Sequence, residues 1–251
     1  MNRRTVIFGV VGLIVVALIV AVGLGYAYLT GGTSQASGTI TAPTLASSSS
    51  NTSSTSQRRF SVDSSKSKVS FTLTEDLFGK PNTVVGTTNQ VAADIQVDVD
   101  HPANSQIGAI RINARTLATD STMRDGMMRR AILNSSDAKY EFITFAPTAI
   151  TGLPDKVATG QSYTFQIAGN LTVKDVTKPV TFNVTAQLIG DAAAHLDGSA
   201  TATVKRADFN LQIPSVPSVA NVSDEVKLQI DFVAPEVSGT GAATPAATKT
   251  S

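Results

Sequence analysis

The sequence predicts an all-β protein of about eight or nine antiparallel strands with one or two short helices. Apolar and polar residues alternate one by one through most of residues 58–234, which is typical of strands with one buried face. Two such runs follow each other within residues 163–188 and are predicted to form a β-hairpin. This alternation indicates an antiparallel sheet, since the strands of a parallel sheet are apolar along their whole length. Strands of this kind must close into a barrel or pair as two sheets.

The central hairpin has the clearest alternation in the chain. Its apolar positions are Tyr163, Phe165, Ile167, Leu171 and Val173 in the first run, then Val180, Phe182, Val184, Ala186 and Leu188 in the second. A short polar segment joins the two runs. We expect Pro179 at the first residue of the second strand, where a missing N–H costs no interior ladder bond.

Six further segments show the same pattern and are predicted as strands: residues 69–74, 91–99, 110–112, 143–145, 196–204 and 226–232. The alternate positions of 196–204 include small residues, Gly198, Ala200 and Ala202, which would leave space inside an eight-stranded barrel. Residues 123–133 fit a short helix better than a strand. The sequence therefore permits an apolar cavity.

The N-terminal residues 1–29 are predicted to be a membrane anchor. Arg3 and Arg4 precede about 25 uncharged residues, which span ~37 Å as a helix and can cross a hydrocarbon core. The positive-inside rule then places the following domain outside the cytoplasm, in the periplasm or on the cell surface. A cleaved signal peptide or a twin-arginine export signal is the alternative. Ala17, Ala21 and Gly25 suit a helix pair and a homodimer, although this spacing arises easily by chance.

Two low-complexity tracts flank the folded part of the chain. Residues 30–57 and 235–251 are rich in Ser, Thr, Gly and Ala and have too few large apolar residues to offset chain entropy. We expect the first to be a flexible linker and the second a disordered tail. The β domain then covers residues 58–234.

Composition and motifs argue against several functions. The net charge of +1 gives no basic surface for nucleic acid, and the absence of Cys excludes thiol nucleophiles and cysteine-ligated zinc. His101 and His195 lie in no metal-ligand spacing or nucleophile motif. Asp98 and Asp100 could join His101 around a cation, but solvated carboxylates are the commoner case. We predict neither a cofactor nor an enzyme.

Three ordered motifs resemble the YceI-like family of lipocalin-like bacterial proteins. The first is Gly169 to Val180, matching Gly-Asn-Leu-Thr-x-Lys-x-Val-Thr-Lys-Pro-Val. The second lies between Thr119 and Phe145, with Arg124-Asp125 at its start and Tyr140, Ile143 and Phe145 at its close. The third is Ala207-Asp208-Phe209 followed by residues 222–226. The resemblance covers residues 60–232.

The resemblance implies an extended eight-stranded lipocalin-like barrel whose apolar tunnel holds a polyisoprenoid or quinone-like lipid, without catalysis. This chain departs from the family pattern at Met127, Glu141 and Asn210, where the family usually has His, Pro and Gly. Met127 in place of a polar residue would make the mouth of such a tunnel more apolar.

Aromatic and thioether side chains are the candidate tunnel wall: Phe71, Met127, Met128, Phe142, Phe145, Tyr163, Phe165, Phe182 and Phe232. An ordinary apolar core explains the same residues. Arg129 and Arg130 could bind a ligand head group through their guanidinium groups. For Arg124 and Asp125 we favour a structural role, either a pair between the two or another Arg–Asp pair that caps the helix and ties it to a neighbouring strand.

These expectations combine into a membrane-tethered, extracytoplasmic protein that carries or stores an isoprenoid lipid. The competing hypothesis is a structural or adhesive module of the cell envelope whose barrel is filled by its own side chains.

Overall fold

The computed structural model of the protein describes residues 36–43, 45, 56–191 and 193–237. Within them the chain forms thirteen strands and one short α-helix, α1, at Thr122–Met127. The strands are β1 (Gln57–Ser61), β2 (Lys68–Leu77), β3 (Lys80–Thr88), β4 (Val91–Ala92), β5 (Asp94–Asp98), β6 (Gln106–Ile107), β7 (Ile110–Asn113), β8 (Phe142–Thr151), β9 (Ser162–Val173), β10 (Val176–Ile189), β11 (His195–Lys205), β12 (Val219–Ala220) and β13 (Glu225–Pro235).

The long strands form one antiparallel sheet that curls into a nearly closed barrel. The sheet runs β2, β13, β11, β10, β9, β8, β7, β4, and β3 pairs with the free side of β2. Because β3 and β4 are separated only by Asn89 and Gln90, one stretch of chain meets both β2 and β7. The barrel prediction is therefore confirmed over the two-sheet alternative.

A smaller sheet of β1, β5 and β6 continues the wall at one end of the barrel. Strand β5 follows β4 after Ala93, and β6 precedes β7. The Val62 amide donates to the Ala93 carbonyl at 2.9 Å, and Phe60 bridges to Glu236 beyond β13. The two sheets together thus form the wall of the barrel.

The predicted central hairpin is confirmed as β9 and β10, with one correction. Val173 pairs with Val176, so Lys174 and Asp175 form a two-residue turn and Pro179 is the fourth residue of β10, not its first. The proline is tolerated because this stretch of β10 pairs only with β9, since pairing with β11 begins at Asn183.

The predicted helix is confirmed in position. It begins as α1 and continues as a π-helical turn at Met128–Ile132. The Ser121 hydroxyl accepts from the Arg124 amide at 3.4 Å and caps its start. We call this end of the barrel, with the turns Phe78–Gly79 and Lys174–Asp175, the helix end. The opposite end, with loops 99–105 and 152–161, is the loop end.

The predicted linker does not behave as a free chain throughout. Residues 36–43 and 45, which we call the strap, lie against the barrel, where Ser37 bonds Glu141 and the side chain of Leu45 lies over Gly108. The predicted anchor, residues 1–29, lies outside the described residues. Among the residues that are described, no helix is long and apolar enough to cross a bilayer.

Candidate ligand cavity

Side chains from the helix half of the barrel pack into the main apolar core. The rings of Phe145 and Phe182 meet edge to face with centroids 5.0 Å apart. Met128, Leu133 and Phe209 come from the helix end and are buried in the same cluster. Side chains of this half therefore pack as part of the main apolar core.

The loop half of the barrel holds an apolar cavity of about 120 Å³. Strands β4 to β11 and β13 contribute to its wall. The wall is aliphatic and aromatic, with Val91, Ile95, Phe165, Val184, Ala186 and Phe232 among its residues. The alternation that marked the strands therefore supplies a continuous apolar lining.

Three polar side chains reach the cavity, and each already bonds to backbone. The Tyr163 hydroxyl accepts from the Ala158 amide at 3.0 Å, and the Gln187 side chain donates to the Gly160 carbonyl at 2.8 Å. The Ser105 hydroxyl accepts from the amide of Asp98 at 3.1 Å. The cavity is thus suited to a ligand held by apolar contact rather than by directed hydrogen bonds.

The candidate wall residues divide between the cavity and the rest of the molecule. Tyr163, Phe165 and Phe232 line the cavity, whereas Phe71, Met128, Phe145 and Phe182 pack in the main core outside it. Met127 lies in the last turn of α1, away from the lining. Phe142 lies beside Arg111, whose guanidinium is 3.9 Å from the ring centroid.

The small residues of β11 were expected to leave open space inside the barrel, but Gly198 does not. A Cβ added to Gly198 would lie 2.6 Å from Cζ of Phe232, so this ring already covers the glycine. Ala200 on β11 and Ala186 on β10, which pairs with Gly198, do line the cavity. Alanine, rather than glycine, leaves the open volume on this wall.

The two arginines proposed for a head group lie at the helix end, outside the cavity lining. The Arg129 guanidinium donates to the Leu117 carbonyl at 3.2 and 3.1 Å and lies 3.7 Å from Asp125. Arg130 occupies the π-helical turn. The observed contacts of Arg129 are structural, since they join the helix to the segment before it.

Arg124 and Asp125 fix the helix, but not by pairing with each other. Arg124 donates to Glu75 on β2 at 3.0 Å and also to Asp120. Asp125 accepts from the amide and hydroxyl of Thr119, both at 2.7 Å. Each residue thus ties α1 to a different neighbour.

Loop residues that the alternation could not reveal complete the cavity. Pro102, Leu153, Pro154 and Val157 line it from the loop end. The Val157 amide donates to the Val99 carbonyl at 2.9 Å and holds the two loops together. Such residues carry no strand periodicity, and only the pairing of the loops brings them to one place.

The expected solvated carboxylates at the end of β5 differ from each other. Asp98 is only 2% exposed and accepts from the His101 amide at 2.9 Å, whereas Asp100 pairs with Lys156 at 2.8 Å. Burial of the Asp98 carboxyl raises its pKa, but hydrogen bonds from His101 and Ser56 outweigh burial and hold it below its usual value. Within the described part of the chain no group of three His, Asp or Glu residues could hold a metal ion.

Fold and cavity together define a class of protein, an antiparallel barrel with an apolar internal pocket. Residues 60–234 match the YceI-like domain, and the chain belongs to that family. The resemblance drawn from three sequence motifs is thereby confirmed.

Solved structures share the fold at low sequence identity. A polyisoprenoid binding domain from Saccharophagus degradans is 16% identical, with a TM-score of 0.51, covering 70% of this chain and 97% of its own. A YceI protein of Campylobacter jejuni is 18% identical, with a TM-score of 0.50, covering 61% and 85% of the two chains. No curated protein matches the chain.

Proposed function

We propose that this protein binds the apolar chain of a polyisoprenoid or isoprenoid-quinone-like lipid in its barrel cavity, for carriage or storage. The observation that carries the proposal is the cavity itself, about 120 Å³ within an almost wholly apolar wall. Burial of each ligand methylene contributes about 0.8 kcal/mol, so such a wall favours a chain over a polar metabolite.

The cavity volume limits how much of the chain fits without rearrangement. An apolar cavity of ~150 Å³ in another protein stays dry and takes up benzene. A slightly smaller cavity therefore suits about one five-carbon isoprene unit. A longer tail would have to leave through the loop end or displace side chains of the helix half.

Membership of the YceI-like family supports the same class of ligand, since the related domain of Saccharophagus degradans is described as polyisoprenoid binding. Binding without catalysis is the simpler proposal, because the polar side chains at the cavity, Ser105, Tyr163 and Gln187, already bond to backbone. An acid–base pair would need groups free to exchange protons with a substrate.

The proposed site of action is the extracytoplasmic face of a membrane. Arg3 and Arg4 before the apolar run of residues 5–29 support an anchored N-terminus with the barrel on the far side. A tether of this kind would keep the barrel close to the bilayer that supplies an isoprenoid lipid.

Native mass spectrometry of the full chain, purified from its own membranes, tests the proposal. We expect a near-stoichiometric apolar adduct that organic extraction resolves into a series spaced by isoprene units. An apo mass, together with no uptake of an added short-tail isoprenoid quinone, would contradict lipid binding.

The second candidate function is a structural or adhesive envelope module. The packing of Phe145 against Phe182 favours it, because these two rings occupy space inside the barrel that a ligand would otherwise use. The same spectra separate the two candidates, since a structural module would carry no lipid.

A further inference from the structure

The strap is bound to the barrel by a buried carboxylate at the helix end. The Ser37 amide and hydroxyl both donate to Glu141, each at 2.7 Å, one to each carboxylate oxygen. Glu141 follows the turn Ala138–Tyr140, in which Lys139 and Tyr140 both bond Asp175 at the tip of the central hairpin. The incoming chain therefore meets the barrel beside the helix end.

The Glu141 carboxylate is buried and held by several polar contacts. Glu141 is only 3% exposed. Its carboxylate also accepts a hydrogen bond from the Asn113 side chain at 3.0 Å and forms an ion pair with Arg115 at 3.0 Å. Burial raises the pKa of Glu141, but the bonds from Ser37 and the charge of Arg115 outweigh burial and hold the pKa below its usual value. With the strap in place, the carboxylate is thus held in its charged form.

Two further contacts fix the direction of the strap. The Arg111 guanidinium approaches the Thr41 carbonyl at 3.5 Å, and Leu45 lies over Gly108, where an added Cβ would be 3.4 Å from the leucine side chain. From Ser37 to Leu45 the chain therefore passes along the barrel from the helix end towards the loop end.

We propose that the strap turns the helix end of the barrel towards the bilayer, so that this end contacts the lipid surface. The inference rests on the proposed membrane tether. Seven residues, 30–36, separate the predicted anchor from the attachment at Ser37 and can reach at most about 25 Å. A free linker of residues 30–57 could extend to about 95 Å and would impose no orientation.

The length of the barrel makes its two ends differ in their distance from the tethered residue, Ser37. Strand β10 has 14 residues, which corresponds to about 46 Å of strand and about 35 Å along a barrel axis with the usual tilt. With the chain held at Ser37, a tether of about 25 Å cannot bring the loop end to the bilayer as readily as the helix end. The loop end and its cavity then face away from the membrane.

The helix end carries exposed apolar side chains that suit a lipid surface. Phe78 is 76% exposed and Met123 is 58% exposed, and Lys80 is exposed beside the Phe78–Gly79 turn. Phe78 also has a φ of +52°, a conformation rarely adopted by bulky residues. Phenylalanine together with lysine is a combination found in segments that lie in the membrane interface.

The experiment uses single cysteines, because the chain has none of its own. The variants Lys80→Cys at the helix end and Asp155→Cys at the loop end are labelled with bimane in the full chain. Each is placed in phosphatidylcholine vesicles whose head groups carry a nitroxide quencher. We expect at least threefold stronger quenching at position 80 than at position 155.

The strap is then released without changing the barrel. Ser37→Pro removes the donated N–H and hydroxyl and leaves Glu141 its bonds to Asn113 and Arg115. We expect this variant to lose the difference between the two labels, and Thr39→Ala, at an exposed strap position, to keep it. An unchanged circular dichroism spectrum checks that the Ser37→Pro barrel is intact.

Three results would overturn the inference in distinguishable ways. Equal quenching at both labels on vesicles that retain the chain contradicts the orientation and leaves the tether standing. A chain that does not float with vesicles contradicts the tether and the orientation together. Protection of the position-80 label from aqueous iodide before vesicles are added indicates a second copy of the chain over Phe78 instead of lipid. Lipid adducts are measured separately by mass spectrometry on the same preparations.

Discussion

Filling the cavity at Ala186 should weaken lipid binding while leaving the barrel folded. Ala186 lines the cavity and pairs across β9 and β11 with Tyr163 and Gly198. Ala186→Leu adds three carbon atoms that point into about 120 Å³ of open space, so they displace about three ligand methylenes. At about 0.8 kcal/mol each, the loss is about 2.4 kcal/mol, or roughly 60-fold in Kd.

The cavity also provides the assay. The chain has no Trp, and Tyr163 lies in the cavity wall, so an isoprenoid quinone bound there should quench tyrosine emission. Titration with a short-tail isoprenoid quinone gives the Kd of the wild type and of Ala186→Leu. The matched control is Ala146→Leu, the same change at an exposed position of β8.

Stability separates ligand displacement from damage to the fold. A leucine that fits the cavity leaves the free energy of unfolding unchanged or higher, whereas overpacking would lower it by about 1–3 kcal/mol. Urea denaturation measures this change. A folded Ala186→Leu protein that binds the quinone within twofold of the wild type would refute the reasoning, because the ligand could not then occupy this cavity.

Two further predictions concern the frame around the site. Gly169→Ala should lower the free energy of unfolding by about 1–3 kcal/mol in a urea titration, since the added Cβ would lie 2.5 Å from Cζ of Phe145. The control variant Gly38→Ala should leave the free energy of unfolding unchanged, because no atom lies within 4 Å of its added Cβ. The pKa of Glu141 is lowered in the folded protein, so the strap should stay docked down to the usual glutamate pKa of about 4.3. The strap should be released only when the pH falls further, through the lowered pKa of Glu141. The amide NMR signal of Ser37 reports this, and a shift between pH 5 and 7 would contradict it.

The strands that the sequence predicts are those whose own side chains fill the barrel. Strands β9 and β10 alternate cleanly, because every second residue faces the core. Strand β3 was not predicted, since it places Val85 outside and Gly86 inside. The reason lies on β2, where the Phe71 ring occupies the space over Gly86, at 2.1 Å from the position of an added Cβ. Where a neighbouring side chain covers the inner face of a strand, the strand has a small residue there, and its sequence does not show the apolar alternation.

The cavity was predictable as a possibility but not in its position. Tyr163, Phe165 and Phe232 were candidates from alternation and do line it, yet Phe145 and Phe182 have the same pattern and fill the other half. Period-two alternation states which face of the sheet a residue occupies, and it carries no information about height along the barrel axis. The loop residues of the wall have no period at all.

By itself, the sequence determined the all-β class, the central hairpin, the helix and the family, because these depend on local alternation and contiguous motifs. Only the tertiary structure decided where this cavity lies, where Arg129 makes its contacts, and that Ser37 is held by Glu141. Ser37 and Glu141 are 104 positions apart. Contacts at such separation arise from the closure of the barrel, which brings together side chains that no local pattern connects.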